Sequence, residues 1–235
     1  MKTIGIIGGI SWLSTAEYYR IINEMVNEHM GGVNSARIIL YSVNYEEIKT
    51  LTFAGDWQGI AKMIAGIAQN LESAGAQCIL LGANTMHKIA GEVQQAIKIP
   101  LIHIAAATGK AVQQKQIRKV ALLGTKYTME LPFYPEQLKK YNASIIIPGD
   151  EDRQYIHDAI YNEMGKNIFL PSTKEKMLSI IETLKLQGAE GVILGCTEIP
   201  LLIKQSDCSI PVFDTTQLHA AAAVEFALDG AAQEI

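Results

Sequence analysis

Two stretches of this chain repeat one another in register, and that repeat restricts the possible fold more than any other feature of the sequence. Ile79-Leu80-Leu81-Gly82-Ala83-Asn84-Thr85 aligns with Val192-Ile193-Leu194-Gly195-Cys196-Thr197-Glu198. Each follows a turn of small residues, Ala74-Gly75-Ala76 in the first copy and Gly188-Ala189-Glu190 in the second. Gly75 and Gly188 lie 113 positions apart, as do Gly82 and Gly195. The starts of the copies agree as well: Lys2-Thr3-Ile4-Gly5-Ile6-Ile7-Gly8-Gly9 resembles Arg118-Lys119-Val120-Ala121-Leu122-Leu123-Gly124-Thr125, offset by 116. The ends match through Ile97-Lys98-Ile99-Pro100-Leu101 and Cys208-Ser209-Ile210-Pro211-Val212. The chain is therefore a duplicated α/β unit, and position 83, alanine against Cys196, is where the copies differ most in chemistry.

Short apolar runs alternate with stretches of helical periodicity. Strands are expected at 3–8, 37–43, 77–82, 100–104, 118–123, 143–147, 191–195 and 210–213. Helices are expected at 14–29, 57–74, 86–96, 132–140, 172–187 and 215–228. Ser14 is placed to cap the first helix, with Glu17 completing a capping box, and Pro171-Ser172-Thr173 leads into another helix. Such alternation calls for parallel sheets covered on both faces. The fold expected is α/β, with two pseudo-symmetric flavodoxin-like lobes of parallel sheet and an active-site cleft between them. Residues 1–100 plus 214–235 would form the N-terminal lobe, and 101–213 the C-terminal lobe. Ligands of open α/β sheets bind beyond the carboxyl ends of the strands. Gly8 to Ser11, Ser42 to Asn44, Ala83 to Thr85, Gly124 to Thr128, Cys196 to Glu198 and Asp214-Thr215 fall there.

Bulk properties narrow the function by exclusion. A net charge of −4 leaves no basic footprint for nucleic acid. The longest apolar runs have strand length, so no membrane span is expected. The strand pattern begins almost at once, so no signal peptide is expected. Three cysteines without paired spacing fit a reducing, cytoplasmic setting. Gly5-Ile6-Ile7-Gly8-Gly9 lacks the full G-x-G-x-x-G spacing, and the next strand ends in Tyr41-Ser42-Val43-Asn44 without an acidic residue. No Walker motif, zinc-ligand spacing or Ser-His-Asp order is present, so neither cofactor nor metal is expected.

The strand-end loops carry the chemistry that remains. Cys196 follows a buried-strand pattern and a glycine, a position that would expose a thiol at a ligand site, and nearby helix-start N–H groups would favour its thiolate; the alternative is a small core residue, since free cysteines are commonly buried. Cys78, inside an apolar run, reads as core, and Cys208 as a loop residue. Asn84, Thr85 and Thr197 offer amide, hydroxyl and backbone donors suited to a carboxylate or an enolate-like oxygen, although such residues also end strands and cap helices. His87 is a candidate acid or base, or else a hydrogen-bonded histidine in a first helical turn. His103 and His219 read as structural. Glu198 and Asp214 could hold a substrate ammonium or orient loops.

With these residues placed, the chain resembles the aspartate/glutamate racemase family over nearly its whole length. The matching segments are Gly5 to Trp12, Tyr18 to Asn23, Asn84 to Lys88, Leu123 to Glu130, Gly195 to Ile199 and Val212 to Thr216. The resemblance implies a cofactor-independent proton transfer at the α-carbon of an amino acid, with an acid/base residue on each face. It also implies a homodimer. The second of two family cysteines maps onto Cys196, and the first maps onto Ala83, which can neither give nor take a proton. Leu13 and Asn44 depart too, standing where many relatives carry glutamate and aspartate.

Three readings follow. The leading one is a racemase or epimerase of amino acids in which Cys196 is one acid/base residue and Thr85, His87 or an activated water is the other. Ser11, Asn84, Thr85, Thr125, Thr128, Thr197 and Glu198 would contact the amino-acid or carboxylate substrate. A second reading has Cys196 acting alone in a decarboxylase or isomerase of a small carboxylic acid. The third is a carboxylate-binding protein that has lost catalysis.

Overall fold

The computed structural model describes residues 1–229, so the end of the expected N-terminal lobe, 230–235, lies outside the described residues. Among the described residues eight strands form: β1 (Ile4–Gly8), β2 (Ile38–Ser42), β3 (Cys78–Leu81), β4 (Leu101–Ile102), β5 (Lys119–Gly124), β6 (Ser144–Ile146), β7 (Gly191–Gly195) and β8 (Val212–Asp214). The helices are α1 (Trp12–Met30), α2 (Tyr45–Phe53), α3 (Trp57–Ser73), α4 (Ala90–Ala96), α5 (Ile104–Gln114), α6 (Lys126–Glu130), α7 (Phe133–Lys139), α8 (Asp150–Asn162), α9 (Pro171–Leu186), α10 (Ile199–Leu202) and α11 (Thr215–Leu228). The chain divides into two compact units. One comprises Met1–His103 with the chain from His219 onward, and the other is Ile104–Leu218.

The first unit contains a four-stranded parallel sheet in the order β2-β1-β3-β4. Side chains alternate between sheet faces with a period of two, and each face has its own apolar cover. Ile4, Ile6, Cys78 and Leu80 pack with Tyr18, Ile22 and Val26 of α1 and Ala220, Ala223 and Val224 of α11. Ile7, Ile79 and Leu81 pack on the other side with Ile60, Ile64, Ile67 and Leu71 of α3. Each of those buried α3 side chains contributes about 1.5–3 kcal/mol. The second unit has the corresponding parallel order, β6-β5-β7-β8, around one continuous apolar cluster.

Main-chain pairing reproduces the repeat read from the sequence. Gly5 pairs with Ile79 in the first sheet, and Ala121 with Val192 in the second. The N–H of Ile79 donates to the Pro100 carbonyl, and that of Val192 to the Pro211 carbonyl. Gln94 accepts from the Leu101 N–H and donates to the Ile99 carbonyl, and Gln205 does the same with Val212 and Ile210. Gly75 and Gly188 both have left-handed φ, +99° and +96°. Each turns the chain from a helix into a central strand, a conformation that costs a residue with a Cβ.

The structure corrects several local expectations. The cap of α1 is Ser11, whose hydroxyl accepts from the Ser14 N–H, so Ser14 lies inside the first turn. Thr15 brings this about: its hydroxyl donates to the Ser11 carbonyl and accepts from the Gly9 N–H, which tightens the loop and starts the helix earlier. Glu17 pairs with Arg20 rather than returning to the cap. The expected helix 86–96 splits into a 3₁₀ turn, Thr85–Ile89, and α4. The expected strand 100–104 is shorter because Ile104 already opens α5. Helices α2, α5 and α8 were not anticipated. α2 buries only Ile48 and Thr52, α8 only Ile156, Ala159 and Ile160, and α5 contacts the core largely through small residues.

Candidate active site

In the second unit the β7 end builds a compact hydrogen-bonded group. The Cys196 thiol donates to Glu198 Oε2 at 2.8 Å, and the Thr197 hydroxyl donates to the same oxygen at 2.9 Å. All three residues are buried. Cys196 is 7% exposed and belongs to the apolar cluster of its unit, so the expectation of an exposed thiol is corrected. The expected preference for thiolate is corrected too. Burial pushes the Cys196 thiol well above its ordinary value, and the adjacent Glu198 carboxylate raises it further. The N–H groups of Glu198 and Ile199 pull it downward, as the sequence suggested, but they are outweighed. At rest Cys196 is a protonated acid hydrogen-bonded to a carboxylate.

Glu198 thus faces the thiol directly. Thr125 and Thr128 meet each other at 3.2 Å between hydroxyls, and Thr125 caps α6 by accepting from the Thr128 N–H. Both are buried, and Thr128 lies against the places where a Cβ on Gly124 or Gly195 would stand. Asp214 accepts from the N–H groups of Thr216 and Gln217, and Thr215 donates to the Leu194 carbonyl, tying the start of α11 to the end of β7. Lys126 of α6 hydrogen-bonds Gln154. Cys208 is half-buried, and Cys78 is fully buried with its thiol pushed up to about 12 by burial.

In the first unit Ser11 follows β1, and Asn84 and Thr85 follow the neighbouring β3. The loop after β1 is held close to the chain: Gly9 has φ +82°, and a Cβ there would lie 2.2 Å from the Val43 carbonyl oxygen. Ala83 packs against the α3-side cluster. His87 is 2% exposed, and its Nδ1 lies 3.1 Å from the Ala83 carbonyl, so this nitrogen carries the hydrogen and donates it. Among the described residues, His87 Nε2 has no hydrogen-bond partner. The His87 ring lies 4.7 Å from that of His103 and 5.3 Å from that of His219. His219 is held at both nitrogens, accepting from the Tyr18 hydroxyl and donating to the Ile102 carbonyl. Burial pushes His87 well below its ordinary value, and the two neighbouring histidines add to this. His219 is likewise pushed down to about 4, chiefly by burial.

The structure therefore groups Cys196, Thr197 and Glu198 at one strand end, pairs Thr125 with Thr128 at the next, and links His87 to the backbone beside Ala83. Thr15, which organises the loop after β1, escaped sequence reading because its hydroxyl bonds are local and carry no motif. Among the described residues, no group of three or more His, Cys, Asp or Glu side chains is arranged to hold a metal ion. No described helix is long and apolar enough to cross a membrane. A buried thiol hydrogen-bonded to a carboxylate at the end of a parallel strand is equipped to exchange a proton with a weak carbon acid.

Comparison with known proteins agrees with this architecture. The profile of the Asp/Glu/hydantoin racemase family matches residues 7–223, and the chain belongs to that family. The crystal structure of a candidate Asp/Glu racemase from Yersinia pestis is 46% identical and superposes with a TM-score of 0.91, over 97% of this chain and 100% of that one. An aspartate racemase homologue from Pyrococcus horikoshii OT3 is 36% identical with a TM-score of 0.84, over 97% and 99%. The broad specificity amino-acid racemase RacX of Bacillus subtilis (strain 168) is 26% identical over 227 residues, covering 94% of this chain and 96% of RacX.

Proposed function

We propose that the protein is a cofactor-independent amino-acid racemase or epimerase that works by α-proton abstraction and reprotonation, with Cys196 as one acid/base residue. The observation that carries this reading is the Cys196–Glu198 hydrogen bond of 2.8 Å. Glu198 takes the thiol proton and becomes neutral as the thiolate forms, and the thiolate, desolvated in its apolar surroundings, is basic enough to remove an activated α-proton. The same thiol delivers a proton in the reverse direction. Glu198 Oε2 accepts from both the Cys196 thiol and the Thr197 hydroxyl, which sets it to exchange a proton with the thiol. Thr85 or an activated water is proposed as the second acid/base, because Ala83 has no proton to exchange. The relatives' activities support an amino acid as substrate, and family membership supports a homodimer acting in the cytoplasm.

A second reading draws on the same site. Glu198 corresponds to Thr85 and Cys196 to Ala83, so the whole thiol–carboxylate pair occurs once in the chain. One pair suits protonation of a carbanion on a single face, as in a decarboxylase or isomerase of a small carboxylic acid. Chiral chromatography after incubating the protein with single enantiomers of a panel of amino acids separates the two. Appearance of the opposite enantiomer supports the racemase. Its absence, with consumption of a small dicarboxylic acid, supports the second reading.

A further inference from the structure

His87 presents an unusual combination: it is buried, its Nδ1 is committed to the backbone, its Nε2 has no hydrogen-bond partner among the described residues, and its ring packs beside two other imidazoles. A buried unpaired acceptor disfavours the fold, so an apolar side chain of similar size would serve packing better. What histidine adds at this position is the Nδ1–H bond to the Ala83 carbonyl. The Asn84 carbonyl accepts from the His87 main-chain N–H, so one residue secures two successive carbonyls of the β3-end turn. A peptide group is planar and trans, with its carbonyl and N–H pointing opposite ways. Holding the Ala83 carbonyl on the imidazole therefore sets the direction of the other edge of the 83–84 peptide, and with it the placement of Asn84 and Thr85.

We propose that His87 is a positioning residue, which locks the turn carrying Asn84 and Thr85 so that it can receive the substrate carboxylate, and that it is not an acid or base in the reaction. This rests on the racemase reading for its substrate, though not for its structural content. Nδ1 is occupied by a carbonyl, and Nε2 is enclosed near His103 and His219, so neither nitrogen is set to meet a carbon acid. His219, itself fixed by Tyr18 and Ile102, backs the His87 ring and holds its orientation.

The test compares wild type with His87→Asn and His87→Leu. The asparagine amide can donate from the place of Nδ1, and leucine cannot. Steady-state racemisation is measured across pH, and amide hydrogen exchange of residues 84–86 is measured in the ligand-free proteins. Positioning predicts that His87→Leu raises KM about ten- to a hundredfold, leaves the pH profile unmoved and speeds exchange at 84–86. It predicts that His87→Asn stays within about threefold of wild type and keeps the turn protected. Loss of a limb of the pH profile in both variants would overturn the proposal in favour of proton transfer by the imidazole. An Asn variant no better than the Leu variant, or unchanged amide exchange in His87→Leu, would also overturn it. If wild type racemises no amino acid, the proposed activity fails, while amide exchange still decides whether His87 holds the turn.

Discussion

The ends of β3 and β7 occupy equivalent positions in two copies of one unit, yet they carry opposite chemistry. At the β7 end a thiol, a hydroxyl and a carboxylate share hydrogen bonds in a buried site. At the β3 end the corresponding residues are Ala83, Asn84 and Thr85, so both the thiol and its carboxylate partner are replaced. Around both ends the frame is the same: equivalent strand pairings, equivalent carbonyls accepting from the central strands, and equivalent glutamines bracketing the outer strands. Buried main-chain groups must be paired whatever the protein does, so the frame persists. Side chains just beyond the strand are under no such constraint, and function can diverge there without cost to the fold.

The sharpest way to break the comparison is to make the β7 end resemble the β3 end. Cys196→Ala should lower the rate of α-proton transfer by about 10³–10⁴-fold, measured as loss of racemisation in protein that unfolds at an unchanged temperature. Next, Glu198→Gln should lower the rate by about 10²-fold and shift the thiol's titration downward, because one cause of its elevation is the glutamate charge. Ultraviolet absorbance of the thiolate follows that shift, and a titration that stays in place would mean that burial alone holds the thiol protonated.

A third effect belongs to the first unit. His219 binds its proton less readily in the fold than in the unfolded chain, whose histidines titrate near 6.5. The unfolded state therefore takes up protons first, and stability falls as pH drops from about 6.5 towards 4. The loss attributable to His219 is about 3 kcal/mol, readable from urea unfolding at pH 7 and pH 4. His219→Leu should flatten that dependence. The smallest effects sharpen the symmetry itself: Gly75→Ala and Gly188→Ala should each cost roughly 1–2 kcal/mol, and nearly equally. Both have left-handed φ, and neither Cβ would meet a neighbour closer than 3.6 Å.

The duplicated frame was legible because its signals are periodic: fully buried strands such as Ile4–Gly8 and Gly191–Gly195 read as continuous apolar runs. Helices α2 and α8 were not legible, because each buries few side chains and so shows little of the apolar periodicity that marks α3. Cys196 stood out by contrast with Ala83, and Glu198 was named beside it as a substrate contact. Its hydrogen bond to the thiol depends on how the turn after β7 folds back, which spacing does not express. The sequence favoured an exposed Cys196 over a buried core residue for a related reason: a strand-end position says where a side chain starts, and only the packed apolar cluster says how much water reaches it. For His87 the sequence left an acid or base and a hydrogen-bonded histidine in a first helical turn equally open, and only the folded turn shows one ring nitrogen bonded to the Ala83 carbonyl.

The central claim, that the Cys196–Glu198 pair transfers the proton, is tested most directly by proton NMR of α-hydrogen loss from amino-acid enantiomers in heavy water. Wild type, Cys196→Ala and Ala83→Cys would be compared. The account predicts exchange from both enantiomers in wild type, none above background in Cys196→Ala, and faster exchange of the slower enantiomer in Ala83→Cys. Exchange that persists in Cys196→Ala at the wild-type rate would contradict it, and would move the chemistry away from the one thiol at the β7 end.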